Sequence, residues 1–501
     1  MRKKTIMSPR QGFKMPRFTL PVLVGLALLI VLVGGVGLYV ARRDNQTPVT
    51  SDNDNPSSTP ASPQTSINPL AILSETATPA NASLISQGEK ILLDTTPQKQ
   101  AGAVAFAQKN WDEAIAQYQE AADADPNDPE STIYLNNAKA KEAGNPLTMA
   151  VVVPITPSAN EAKEVLRGVA LAQEEFNQSQ AASGRLLEAV IVNDDQTGKT
   201  LSLAEELIDF PNILGVLGHG VDSGTRQAMV RYERDGLAVL SPVSASVTET
   251  SGQTTLRTIS LAQQEQELLE TYLQQVGETL ADYAAKEYSP ASVAVFYNSD
   301  SPYSQALKTQ FVADLSQGKG NVVKEVDVTA SPSFDATAEM ESASQAGANI
   351  AFLALSKNKV DTAIALAEAN ANQAGQSLRL MGGDELYNPT ILTEGDDAVE
   401  GMVLAVPWSW QPSDPFATQA ADTWKGRISW RTATAYDATQ ALATAFSRNS
   451  SRSGVAEELN KGIPISGTAK EFKLFNEIPL VKAVPGSSGP TGSRYQFDPV
   501  E

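Results

Sequence analysis

The chain has 501 residues and a mass of 53.2 kDa, enough for two or three domains. Its 38 basic and 58 acidic residues give a net charge of −20, which argues against a binder of the nucleic-acid backbone. It has no cysteine and one histidine, His219, so disulfides and thiolate chemistry are excluded and a zinc site built on nitrogen and sulfur is disfavoured.

Residues 18–41 run for 24 positions without a charge and are rich in Leu, Val, Ile and Gly. As a helix this stretch is about 36 Å long, enough to cross a hydrocarbon core of roughly 30 Å. Six basic residues precede it and two, Arg42 and Arg43, follow it. The positive-inside rule therefore expects residues 1–17 in the cytoplasm, a single transmembrane helix in the plasma (inner) membrane, and the rest outside, in the periplasm or beyond the cell. A cleaved signal peptide is the alternative. Its apolar core would span about 7–15 residues before a small-residue cleavage site, and this run is longer and lacks that site. The first 43 residues hold eight basic residues and no acid, which leaves 30 basic against 58 acidic residues, a net −28, on the exported part. Residues 44–84 are mostly Ser, Thr, Pro, Asn and Ala with no aromatic, and read as a flexible linker.

Residues 85–145 read as a small helical segment. Two helical stretches meet at Lys109-Asn110, and Pro126 ends the second. The small Ala114 and Ala121 allow close approach, and Tyr118 fills the space between. The pattern resembles a tetratricopeptide repeat, with Gly102, Ala114, Tyr118, Ala121 and Pro126 on signature positions over about 34 residues. Gln98 and Ala101 stand where that repeat has Trp and Leu. A partner-docking pair and a packing spacer both fit one such unit, and the spacer is favoured because free-standing arrays need about three. Asp123, Asp125, Asn127 and Asp128 do not make a calcium loop, since Asp128 replaces the required Gly and Tyr134 the required Glu.

From 147 the pattern alternates. Strands are expected at 149–154, 187–192, 213–218 and 237–241, with helices at 160–177, 200–208 and 225–234. After a long amphipathic stretch at 262–287, strands are expected at 292–297, 322–328, 350–355, 378–382 and 401–406, with helices at 302–315, 334–346 and 359–373. Helices near 418–425, 431–447 and 454–459 follow, and a tail at 471–499 is rich in strand and turn signals. Continuous apolar strands between helices imply parallel sheets covered on both faces, an α/β fold. The expectation is two similar lobes, the first about 147–262 and 405–470, the second about 263–404 and 471–501.

Several strings in this region occur together: Val153-Pro154 with Gly168; Asn193-Asp194-Asp195; the run 215–225; Tyr232 with Gly236 and Ser241-Pro242; the run 295–304; Met381-Gly382-Gly383-Asp384; and Ala435-Tyr436-Asp437-Ala438. In order and spacing the chain from about 147 onward resembles the leucine/isoleucine/valine-binding proteins of ABC importers, within the type I periplasmic-binding-protein fold. That resemblance implies two lobes closing over a ligand by a hinge motion. Asp222, Ser223 and Gly224 lie between a strand end and a helix start, where free backbone N–H groups and hydroxyls suit a carboxylate. The resemblance further implies that the turn bearing Val243, Ser244 and Ala245 holds an α-carboxylate and α-ammonium, that Asp384 pairs with the ammonium, and that Tyr303 sits on a ligand-facing loop. Three departures stand out. Asp222 puts a negative charge where a small hydroxyl residue is usual, Ala245 stands at a hydroxyl position, and Ser356-Lys357 lacks the frequent aromatic.

Enzyme motifs fail in detail. Gly198-Lys199-Thr200 lacks the P-loop glycine, because Asn193 holds its place. The stretch from Gly220 to Gly224 has its serine one position late for a nucleophile elbow, and a lone histidine makes a triad improbable. The pairs Asp194/Asp195 and Asp384/Glu385 read as strand-end loop residues of a binding fold rather than glycosidase acids. The expectation is a membrane-anchored solute-binding protein with no catalysis, no cofactor and no metal. Its partners would be an amino acid-like solute, an ABC permease or another membrane protein, and the membrane through its N-terminal helix, but no nucleic acid. An interaction scaffold is the competing class, since helical repeats followed by this fold also resemble the lipoprotein activators of penicillin-binding proteins, regulators of cell-wall synthesis. A ligand sensor is a further variant.

Overall fold

The computed structural model describes residues 84–500 except 181–183, 196–197, 220–222, 242–245, 251–252, 258–261, 374, 376, 465–477 and 490–492. The apolar run at 18–41 and the linker at 44–83 lie outside the described residues. Among the described residues no helix is long and apolar enough to cross a membrane.

The described chain begins with a short strand, β1 (Ile85–Ser86), and three helices, α1 (Pro97–Ala107), α2 (Trp111–Ala124) and α3 (Pro129–Ala143). Local chemistry starts each helix. The Thr96 hydroxyl accepts the Lys99 N–H ahead of α1 and the Asp128 carboxylate accepts the Glu130 N–H ahead of α3, each followed by proline in the first turn. Gly102 is needed where α1 meets α2, because a methyl group there would lie 2.9 Å from the Tyr118 ring. Asp128 serves an ion pair rather than calcium: the buried Lys99 ammonium lies 2.8 Å from Asp128 and 2.6 Å from Glu130. The sequence reading named two helices here. The third, α3, joins the segment to the main domain, where Asn137 donates to the Ala189 carbonyl at 2.7 Å and accepts its N–H at 2.9 Å.

The first lobe alternates β2 (Leu147–Val153), α4 (Ala159–Gln180), β3 (Leu187–Asn193), α5 (Thr200–Asp209), β4 (Ile213–Gly218), α6 (Ser223–Arg234) and β5 (Ala238–Leu240). β2, β3, β4 and β5 pair in parallel, and the sheet order is β1-β3-β2-β4-β5 with β1 antiparallel at the edge. β2 and β3 are buried along their whole length, as strands covered on both faces must be. A hairpin, β6 (Ser246–Thr250) and β7 (Gln253–Arg257), then leads to α7 (Ala262–Glu287).

The second lobe contains β8 (Ala291–Tyr297), α8 (Pro302–Leu315), β9 (Gly320–Asp327), α9 (Ala336–Gln345), β10 (Ile350–Ala354), α10 (Val360–Ala371), β11 (Arg379–Gly382), α11 (Pro389–Glu394) and β12 (Val403–Ala405). α12 (Pro415–Trp424) follows. α13 (Trp430–Arg448) and α14 (Arg452–Lys461) then pack on the first lobe. β13 (Ile463–Pro464) pairs with β7, and β14 (Leu480–Pro485) and β15 (Tyr495–Pro499) complete the second sheet, ordered β15-β14-β12-β11-β10-β8-β9. The strands from β9 to β12 run parallel, and β14 and β15 are antiparallel additions.

The three-stranded sheet β13-β7-β6 and the edge strand β1 were not anticipated. α13 lies along α4 so closely that a methyl on Gly168 would collide with the Thr432 carbonyl oxygen. One continuous apolar core joins the helical segment, α4, α13 and faces of both sheets.

Candidate functional site

In parallel sheets, loops at the carboxyl ends of strands are the place for ligand-contacting side chains, because helix N-termini and free loop backbone gather there. In the second lobe two such loops meet. Ser301 caps α8 and Pro302 opens it, which holds Tyr303 in the first helical turn. β11 ends at Gly382, and Asp384 begins a short 3₁₀ turn, Asp384–Leu386. Gly383 leaves room for the tyrosine, since a methyl there would strike the Tyr303 hydroxyl. Tyr303 Oη donates to Asp384 Oδ1 at 2.9 Å, and Tyr272 on α7 also helps hold that carboxyl down.

Asp384 is only 6 % exposed. Burial pushes its carboxyl up from the ordinary value, while the two tyrosines and the Arg431 charge pull it back. Burial and the neighbouring carboxylates hold the Tyr303 phenol well above its ordinary range, so it stays a donor. Its neighbour Glu385 is pushed up to about 7, chiefly by burial, with Lys357 opposing and Asp384 reinforcing the shift. The Lys357 backbone N–H donates to Glu385 Oε2 at 2.8 Å.

Charges from the first lobe meet this cluster. The Lys357 ammonium lies 3.4 Å from Glu161 at the start of α4. Arg431, in the first turn of α13, is buried. Its Nη1 donates to Glu164 at 3.2 Å and to the Tyr387 carbonyl at 2.9 Å, and its Nε lies 3.8 Å from Glu161. Burial disfavours the guanidinium charge, but Glu161, Glu164 and Asp384 outweigh it and raise the arginine's pKa. Burial likewise opposes the Glu161 charge, and Arg431 and Lys357 overcome it to hold that carboxyl low. A groove of about 430 Å³ runs alongside, between Pro154, Ser158 and Glu161 of the first lobe and Lys357, Val360 and Asn388 of the second.

On the first-lobe side, Gly218 and His219 both take positive φ at the end of β4. His219 is buried, with Nε2 3.0 Å from the Tyr232 hydroxyl and Nδ1 3.4 Å from Asp194, which accepts from Thr200 Oγ1 at 3.0 Å. These contacts tie the loops after β3 and β4 together, a structural use of the lone histidine.

The structure thus brings two of the expected site residues, Tyr303 and Asp384, into direct contact. Ser223 and Gly224 open α6, five positions beyond the end of β4. Asp222, Val243, Ser244 and Ala245 lie outside the described residues. Sequence reasoning missed Tyr272, Glu161, Glu164 and Arg431 as members of this neighbourhood, and named Lys357 only where the frequent aromatic is lacking and Glu385 only as a strand-end acid beside Asp384.

A sequence model described as periplasmic binding protein matches residues 146–477. The leucine-, isoleucine-, valine-, threonine-, and alanine-binding protein of Pseudomonas aeruginosa is 23% identical over 289 residues, 57% of this chain and 72% of that protein. The leucine-specific-binding protein of Salmonella typhimurium is 25% identical over 293 residues, 57% of this chain and 74% of that protein. Among solved structures, an ABC transporter substrate-binding protein of Desulfitobacterium hafniense in complex with Leu superposes with a TM-score of 0.53 at 18% identity, covering 70% of this chain and 99% of that one. The branched-chain amino acid transporter substrate binding protein of Streptococcus pneumoniae, in complex with isoleucine, gives 0.54 at 15%, covering 71% and 100%. These structures share the two-lobed α/β frame. With that frame and the sequence match over 146–477, the chain belongs to the periplasmic binding protein family, a family of substrate-binding proteins and not of enzymes.

Proposed function

We propose that this protein captures an amino acid or similar small polar solute between its lobes and delivers it for ABC-type import. The observation that carries the reading is the buried Asp384 carboxylate, which accepts from Tyr303 at a strand end and feels the charge of Arg431. Relatives whose names state leucine or branched-chain amino acid binding support the solute class. In this reading Asp384 meets the ammonium and Tyr303 orients it. The Asp222, Ser223, Gly224 turn and the Val243, Ser244, Ala245 turn supply the carboxylate side. We assign the two lobes to about 147–262 with 405–470 and 263–404 with 471–501. Residues 85–145 are a tetratricopeptide-like spacer carried on the first lobe, and 44–84 a linker. The run 18–41 tethers the protein to the plasma membrane with its bulk outside.

A second reading keeps the same fold as a docking scaffold for a cell-wall synthase. It is favoured by one observation: the lobes are already joined by the chain's own charges, Lys357 to Glu161 and Arg431 to the Tyr387 carbonyl. A thermal-shift screen of the full chain in detergent against amino acids, amides and small carboxylates separates the two. A bound solute at about one hundred times its dissociation constant adds about 2.7 kcal/mol of stability. No shift with any of them, together with retention of a penicillin-binding protein in pull-down, would leave the scaffold reading standing.

A further inference from the structure

A cavity of about 280 Å³ lies where the turn between α2 and α3, the flank of α4, and α11 and β15 of the second lobe come together. Neither Tyr303 nor Asp384 lines it. Four basic side chains, Lys163, Arg167, Lys425 and Arg427, stand in its wall against one acid, Glu164, in a chain of net charge −20. Glu164 is engaged by Arg431. Lys163 pairs with Asp94, and Arg427 with Asp498.

Arg167 is different. Its Nη2 reaches the Asn127 carbonyl at 3.5 Å, a long contact, and its buried Nε has no acceptor among the described residues. Acids at Glu164, Asp125 and Asp128 act on it, yet burial still pulls the guanidinium below its ordinary pKa. Trp424 stands in the same wall, 3 % exposed, with its indole N–H also lacking an acceptor among the described residues. Native interiors rarely leave such donors unmatched. Two of them beside four cations call for a group that accepts hydrogen bonds and carries negative charge.

We propose that this cavity is a second binding site, for a small oxyanion bearing phosphate or carboxylate groups. Arg167 supplies the charged donor, with Trp424 Nε1 and the Lys425 ammonium flanking it. Because the walls come from the helical segment and from both lobes, an anion seated there fastens all three together.

The test is calorimetric titration of the full chain in detergent with sodium phosphate and, separately, sodium malonate, at ionic strength matched with sodium chloride. Saturable binding of either supports the site, and which of the two binds names the source of the oxyanion. The Arg167→Met variant should weaken binding by about tenfold or more, since a charge-assisted hydrogen bond is lost. Trp424→Phe should weaken it to a smaller degree, and Arg167→Lys should retain part of it. Hydrogen exchange on the unaltered protein gives a readout independent of variant folding: phosphate or malonate should slow exchange at 424–429 and leave 303–307 unchanged. No saturable binding of either anion, unaltered exchange at 424–429, or full affinity in both Arg167→Met and Trp424→Phe would overturn the proposal.

Discussion

At the scale of single residues, the cleft is governed by how its buried charges are matched. Arg431 sits among Glu161, Glu164 and Asp384, so removing it strands carboxylates without their counter-ion. Breaking a buried pair from one side typically costs about 3–5 kcal/mol. Arg431→Met should therefore lower stability by an amount of that order in urea denaturation, and an unchanged midpoint would show that the network carries no net weight. Glu385 makes a pH prediction. Its carboxyl is raised from 4.5 to about 7, so the folded state binds the proton more tightly than the unfolded chain does. The stabilisation is complete below pH 4.5 and is lost as pH rises to about 7. A rise of that size corresponds to at most roughly 3–4 kcal/mol. Glu385→Gln keeps an acceptor for the Lys357 N–H, so its stability should fall less steeply than that of the unaltered protein over this interval. Parallel pH profiles would contradict the assignment. Tyr303 and Asp384, which the structure brings into contact, were singled out from the sequence because each lies inside a string that resembles the family. Arg431 and Glu164 were not. They are 267 positions apart, and each reads locally as a charge on the solvated face of an amphipathic helix.

At the scale of elements, strand and helix alternation survived well because continuous apolar runs and 3.6-residue periodicity are strong local signals. α8 follows its expected bounds because Ser301-Pro302 marks the start without ambiguity. The hairpin β6–β7 was missed because its strands, SVTET and QTTLR, carry one apolar residue each. In the structure those residues, Val247 and Leu256, are cross-strand partners, and Ile463 of β13 pairs with Leu256 in turn. Only the pairing of distant segments reveals the row. Gly168 tests the packing of α4 on α13. Alanine would gain about 1 kcal/mol of helix propensity, but overpacking against backbone that cannot move aside costs about 1–3 kcal/mol. The Thr432 carbonyl is such backbone. Gly168→Ala should lower the thermal midpoint; a raised midpoint would mean the helices separate freely.

At the scale of the whole molecule, the helical segment is fastened to the first lobe through β1 on β3 and through Asn137 on Ala189, so it is built as part of that lobe. The second lobe is held to the first across the cleft by Lys357 on Glu161 and by Arg431 on Tyr387. Under the proposed function the solute's ammonium would share the Asp384 carboxylate with the charge of Arg431, so Asp384 is the position on which that proposal turns. Lys357→Ala, which removes a partly exposed pair, should change stability by no more than about 1 kcal/mol while raising the open population seen in small-angle scattering. The measurement that bears most directly on the account is calorimetric titration of leucine into the full chain and into Asp384→Asn. Saturable binding by the unaltered protein, weakened about tenfold to a hundredfold by the substitution, is the result expected for a lost charge-assisted contact. Undiminished affinity in Asp384→Asn, or no binding by the unaltered protein, would contradict it.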